Sequence, residues 1–106
     1  MAGAYRTGIL PRALAEVQAI AAWWRKNRPA APRLFQQELD LALANISERP
    51  EIGPKARLRS HPNARTYLLR RTGYVIIYNV DEVGREVTVA RVRHGRRRPL
   101  ARAKGP

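Results

Sequence analysis

The chain has no cysteine, so neither a disulfide framework nor thiolate metal ligation is open to it. That suits a reducing compartment, and a cytoplasmic location is expected. Its two histidines, His61 and His94, stand far apart with no cysteine to join them, so no metal site and no cofactor are expected. Long apolar runs are missing too. The longest candidate, Ala13 to Trp24, is broken by Glu16 and Gln18 and is too short to span a bilayer. The N-terminal MAGAYRTGIL has no apolar core preceded by charge, so no signal peptide is expected. Aromatic residues stop at Tyr78. Acidic residues are the scarcest feature of the second half: residues 54–106 hold 14 basic and 3 acidic side chains, against 7 and 5 in residues 1–53. Of the net charge of +13, +11 therefore sits in the second half. Such asymmetry implies an anionic partner: nucleic acid, an acidic protein segment or a membrane surface. A plain solvated basic face is the competing reading.

What the chain does have is concentrated between Arg65 and Arg98. Three apolar runs, Tyr67–Leu69, Tyr74–Val80 and Val87–Val92, are divided by Thr72-Gly73 and by Asp81-Glu82-Val83-Gly84. β-Branched and aromatic residues with turn chemistry between them predict three strands in an antiparallel meander. Arginines at 65, 70, 71, 85, 91 and 93 punctuate it, and Arg96, Arg97 and Arg98 follow its last strand.

The first half reads as helical. Tyr5 to Leu10 is a candidate edge strand, and Pro11 suits the first turn of a helix, where its missing N–H is not needed. Ala13, Val17, Ile20 and Trp24, with Leu14 and Ala21, form one apolar stripe. Trp23 lies about 100° round from Trp24 and reads as a rim residue or a partner contact. Asn27-Arg28-Pro29 ends the helix. A second helix is expected from Ala30-Ala31-Pro32 to about Ser47, its stripe made by Phe35, Leu39, Ala42, Leu43 and Ile46. The short connection implies a helical hairpin. Glu38 and Asp40 diverge on that helix and read as solvated charges. The loop from Glu51 to Ala64 carries Lys55, Arg57, Arg59 and His61, and its length suggests function or mobility.

The expected fold is therefore α+β: an N-terminal helical hairpin packed on a small antiparallel sheet, in the order (β)ααβββ. A single domain spans 5–98, and a flexible basic tail covers 99–106. The expected core comprises Leu14, Val17, Ile20, Trp24, Phe35, Leu39, Leu43, Ile46, Leu69, Ile77 and Val89.

With that order, the residues Leu10-Pro11-Arg12-Ala13, Pro32-Arg33-Leu34-Phe35, Pro50, Gly53, Tyr67-Leu68-Leu69, Gly73-Tyr74, Ile77-Tyr78-Asn79-Val80-Asp81 and Arg91-Val92-Arg93-His94-Gly95-Arg96-Arg97 carry a resemblance. Over roughly residues 5 to 98 the chain resembles the RelE/ParE superfamily of toxins from type II toxin–antitoxin systems. The resemblance implies a growth inhibitor silenced by an acidic antitoxin, in a heterodimer or higher hetero-oligomer. It implies operator DNA as a partner only through the antitoxin, and no membrane partner.

The superfamily divides by target, and here the departures matter. RelE-like members, which cut messenger RNA in the ribosome, place lysines on the first meander strand, an arginine after Gly-Tyr and a tyrosine near the C-terminus. This chain has Thr66 and Leu68 in the lysine places, Val75 after Gly73-Tyr74, and no aromatic residue after Tyr78. The resemblance then favours the ParE-like branch, which poisons DNA gyrase by binding; RNA cleavage is the alternative, and a non-toxic nucleic-acid-binding module is a third reading. If the chain were a nuclease, His94 and Arg97 would be its catalytic groups, as base and as cation. Target binding is expected at Arg91, Arg93, Arg96, Arg97 and Arg98. Antitoxin or anion binding is expected at Arg65, Arg70, Arg71 and Tyr74. Each has a structural reading as well: Arg91 and Arg93 can pair with Glu16 or Glu38 inside the fold, Arg96–Arg98 can be a solvated run, and His94 can be a hydrogen-bonding strand end.

Overall fold

In the computed structural model, which describes residues 4–95, the chain runs β1 (Arg6–Ile9), α1 (Pro11–Asn27), α2 (Leu34–Glu48), a single 3-10 turn (Pro50–Ile52), β2 (Arg65–Leu68), β3 (Tyr74–Asp81) and β4 (Glu86–His94). This is the α+β order expected: a strand, two helices and three strands. The tail, residues 99–106, lies outside the described residues.

Pro11 occupies the first turn of α1, and Leu10 enters it in extended conformation. Arg25 and Lys26 fill the last turn, where cations favour the negative end of the helix dipole. The Asn27 side chain then donates to the Trp23 carbonyl, 2.9 Å, and the Arg28 N–H to the Trp24 carbonyl. The second helix starts at Leu34 rather than at Ala30. The preceding residues form a turn in which the Ala31 N–H donates to the Arg28 carbonyl.

The sheet has the order β1-β4-β3-β2. β2, β3 and β4 form the antiparallel meander, while β1 joins the outer side of β4 in parallel, from Arg6 opposite Glu86 to Ile9 opposite Val89. A bulge interrupts the β3–β4 ladder: Ile77 faces Arg91, Tyr78 faces Val89, and Ala90 is left over. Gly73 makes the β2–β3 turn at φ 87°, a left-handed conformation open to glycine at little steric cost.

The helices cover one face of this sheet. Ala13 and Val17 from α1 and Phe35, Leu39, Ala42 and Ile46 from α2 meet Ile76, Tyr78, Val87, Val89 and Val92 in one buried cluster. Each large side chain buried there contributes about 1.5–3 kcal/mol. Ile20, Trp24 and Leu43 are half-buried at its margin. Leu14 departs from expectation and is 42 % exposed. It follows the fully buried Ala13 by about 100° on the helix, which turns it off the sheet-facing stripe.

Ile77 is buried, but on the other side. Strand alternation sends Ile76 and Tyr78 toward the helices and Val75 and Ile77 to the opposite face. There Leu58 and Ala64, from the 51–64 loop, cover Ile77 in a second small cluster. The loop is thus the lid of that face.

Candidate functional site

Two grooves flank the sheet. The first, about 660 Å³, lies between the C-terminal half of α1, the β2–β3 turn and the end of β4. Tyr74 forms its floor. Its ring meets Phe35 edge-on at 5.0 Å and His94 at 5.2 Å with planes at 85°, and its hydroxyl accepts from Trp24 Nε1 at 3.3 Å. Trp23 stands on the rim, 44 % exposed, with the Arg28 guanidinium 4.9 Å above its ring. Arg71, Thr72 and Arg93 complete the walls. Arg93 Nε is buried with no hydrogen-bond partner among the described residues. The second groove, about 610 Å³, runs between α2 and β2. It exposes Leu41, Ile52 and Leu68, with Arg70 and Arg71 at one end.

Glu16 and Glu38 hold the parts of the first groove in place. Glu16 accepts from Arg91 Nε at 3.1 and 3.0 Å, from Arg91 Nη2 at 2.8 Å and from the Val92 N–H at 2.9 Å. The last bond satisfies part of the β4 edge beyond the end of β1. Burial alone would push the Glu16 carboxyl up. The Arg91 and Val92 hydrogen bonds, with the charges of Arg91 and Arg12, outweigh that and hold it below the ordinary glutamate range. Glu38, expected as a solvated charge, instead braces the β2–β3 turn. It accepts from the N–H of Arg71 at 2.7 Å and from the N–H and hydroxyl of Thr72 at 3.0 and 2.7 Å. No sequence spacing joins residues so far apart. Asp40 is exposed and accepts only from Gln36 among the described residues, a contact one turn away.

The residues singled out from the sequence fall into distinct settings. Tyr74, Arg71, Arg93 and His94 come together in the first groove. Arg70 is exposed beside it on the turn. Arg91 is committed to Glu16, with its side chain 15 % exposed. Arg65 is turned inward, donating to the carbonyls of Gly53 at 2.7 Å and Glu51 at 3.3 Å. The His94 ring also packs over Gly73, where a Cβ would approach its Nε2 to 3.2 Å. His61 is exposed and bonds Ser60 at 2.8 Å. Arg96, Arg97 and Arg98 lie outside the described residues. Among the described residues, no cluster of His, Cys, Asp or Glu could hold a metal ion, and no helix is long and apolar enough to cross a membrane.

A strand, two helices and three strands, with the helical hairpin packed on the sheet, is the α+β fold that this chain shares with RelE/ParE superfamily type II toxins. The isolated E. coli RelE toxin matches with a TM-score of 0.60 and 28% identity, covering 90% of this chain and 88% of that one. RelBE2 from Mycobacterium tuberculosis matches at 0.61 and 22%, covering 86% and 98%. The chromosomal ParDE system of P. aeruginosa matches at 0.67 and 18%, covering 85% and 95%. No curated protein matches the chain. Residues 9–99 match the family described as ParE toxin of type II toxin-antitoxin system, parDE, and the chain belongs to that family.

Proposed function

We propose that this toxin arrests growth by binding and poisoning DNA gyrase, and that an acidic antitoxin holds it silent. The observation that carries the reading is the setting of His94. A general base must reach the hydroxyl it activates. Here the His94 ring, half-buried in the wall of the first groove, packs edge-on against Tyr74 and over Gly73, with its Nε2 on the Gly73 side. Arg91, a cation that could stabilise a phosphorane-like charge, is instead neutralised by Glu16. Membership of the ParE family supports the same target.

The two grooves suit the antitoxin. Trp23, Leu41, Ile52 and Leu68 offer apolar anchors, and Arg28, Arg70, Arg71 and Arg93 offer partners for carboxylates. Neighbours of this fold include the intact E. coli RelBE toxin–antitoxin complex, at 29% identity and a TM-score of 0.59.

The alternative, ribosome-dependent cleavage of messenger RNA, draws support from the likeness to RelE. Purified toxin added to gyrase and supercoiled plasmid separates the two. Gyrase poisoning yields linear plasmid after detergent and protease treatment. Intact plasmid at saturating toxin, with messages cut in a translating extract, contradicts it.

A further inference from the structure

The 51–64 loop places a comb of cations on the sheet face opposite the helices. Along 55–59 the residues alternate: Lys55, Arg57 and Arg59 are exposed, Ala56 is half-buried and Leu58 is 6 % exposed. Leu58 and Ala56 anchor the segment on Ile77 and Val75. Backbone bonds fix it further. Lys55 bridges Arg65, the Ala56 N–H donates to the Ala64 carbonyl at 2.7 Å, and the Thr66 N–H donates to the Pro54 carbonyl at 2.9 Å. Arg57 sits at φ 55°, a left-handed conformation that side-chain-bearing residues rarely adopt and that concentrates at functional positions. All eight acidic side chains of the protein lie among the described residues, and none forms an ion pair with these three cations.

We infer that Lys55, Arg57 and Arg59 form a second interaction surface, separate from the grooves, that binds the phosphodiester backbone of a nucleic acid. Protein interfaces need an apolar centre. This surface has none: Ala56 and Leu58 pack on the sheet, and the exposed chain neighbours are Pro54, Ser60, His61, Pro62 and Asn63. Phosphate binding needs only cations held in register and reads no sequence. No aromatic residue occurs between Phe35 and Tyr67, so stacking on bases is not available to the loop. The inference does not depend on whether the toxin poisons gyrase.

The test is a salt titration of binding by the full chain to an arbitrary duplex DNA and to a single-stranded RNA. The wild type is compared with K55Q/R57Q/R59Q and with R25Q/K26Q/R33Q, which removes equal charge from exposed positions around the α1–α2 connection. Three phosphate contacts contribute a slope of about 2.7 in log K against log salt on duplex and about 2.1 on a single strand. The loop variant should lose that slope on at least one probe, and the control should lose less than one unit. Between 50 and 200 mM salt this is a difference of roughly 40-fold on duplex or 20-fold on a single strand. Whichever probe responds identifies the source of the phosphates. Single K55Q should remove about one contact, and it guards against a folding defect in the triple variant. Equal slopes for the two triple variants, or no binding by the wild type, overturn the inference while leaving the gyrase reading untouched.

Discussion

Glu16 on α1 and Arg91 on β4, 75 residues apart in sequence, form a two-pronged ion pair whose shortest contact is 2.8 Å. The same carboxylate accepts the Val92 N–H, so one side chain joins helix, strand edge and charge. Removing it leaves a mostly buried guanidinium and a strand N–H without their acceptor. Glu16→Ala should lower unfolding free energy by about 2–3 kcal/mol, measured by denaturant titration.

The same pair makes stability depend on pH. The folded Glu16 pKa lies below its unfolded value, so the unfolded chain takes up the proton first as pH falls. Its contribution is fully present above the ordinary glutamate range and is lost as pH drops through the folded pKa. Glu16→Gln should flatten that acid limb of the stability curve and leave the limb above neutrality unchanged.

Glu38 fixes the β2–β3 turn by three hydrogen bonds. Glu38→Ala should cost about 1–2 kcal/mol. It should also speed hydrogen exchange at the Arg71 and Thr72 amides more than at the β3 amides. Uniform exchange across the turn and β3 would show that Glu38 carries no local role.

Much of this architecture is legible in the sequence, because the physical signals are local. Gly73 and the run Asp81–Gly84 bound the strands, and Phe35, Leu39, Ala42 and Ile46 recur at helical spacing and are all buried. What sequence does not carry is direction and distance. Alternation sorts Ile76 from Ile77 but cannot tell which face the helices take, so the loop's role as a cover for Ile77 was hidden. The parallel pairing of β1 brings together residues some 80 positions apart. Leu14 fits a helical stripe as well as Ala13 does, and only the sheet decides between them. In the grooves, arginine content was readable while occupancy was not: Arg91 and Arg65 are turned into the fold, whereas Arg70 and Arg71 remain exposed.

Tyr78 ties the sheet to the end of α2. Fully buried, its hydroxyl donates to the Pro50 carbonyl at 2.7 Å and accepts the Gly53 N–H at 3.1 Å. Tyr78→Phe leaves both backbone groups unpaired and should cost about 1–3 kcal/mol. Gly53→Ala should be at least as damaging, since its Cβ would overlap the Thr66 carbonyl and come 2.8 Å from the Tyr78 hydroxyl. Thermal unfolding of both variants checks the pair.

His94 separates catalysis from binding. A general base contributes about 10²- to 10⁴-fold to rate, so its loss would nearly abolish toxicity in a nuclease. In a gyrase poison His94→Ala costs local packing, including the edge-on contact with Tyr74, itself worth about 0.5–1.5 kcal/mol. Growth arrest on induction of His94→Ala should therefore stay close to wild type, once soluble protein levels are matched.

The central claim is tested most directly by inducing the toxin in bacteria and following chromosome and transcripts over the first minutes. Gyrase poisoning predicts trapped double-strand breaks and an SOS response while messages stay intact, with growth restored by coexpressing an acidic antitoxin. Messages cut within codons on an undamaged chromosome would contradict it.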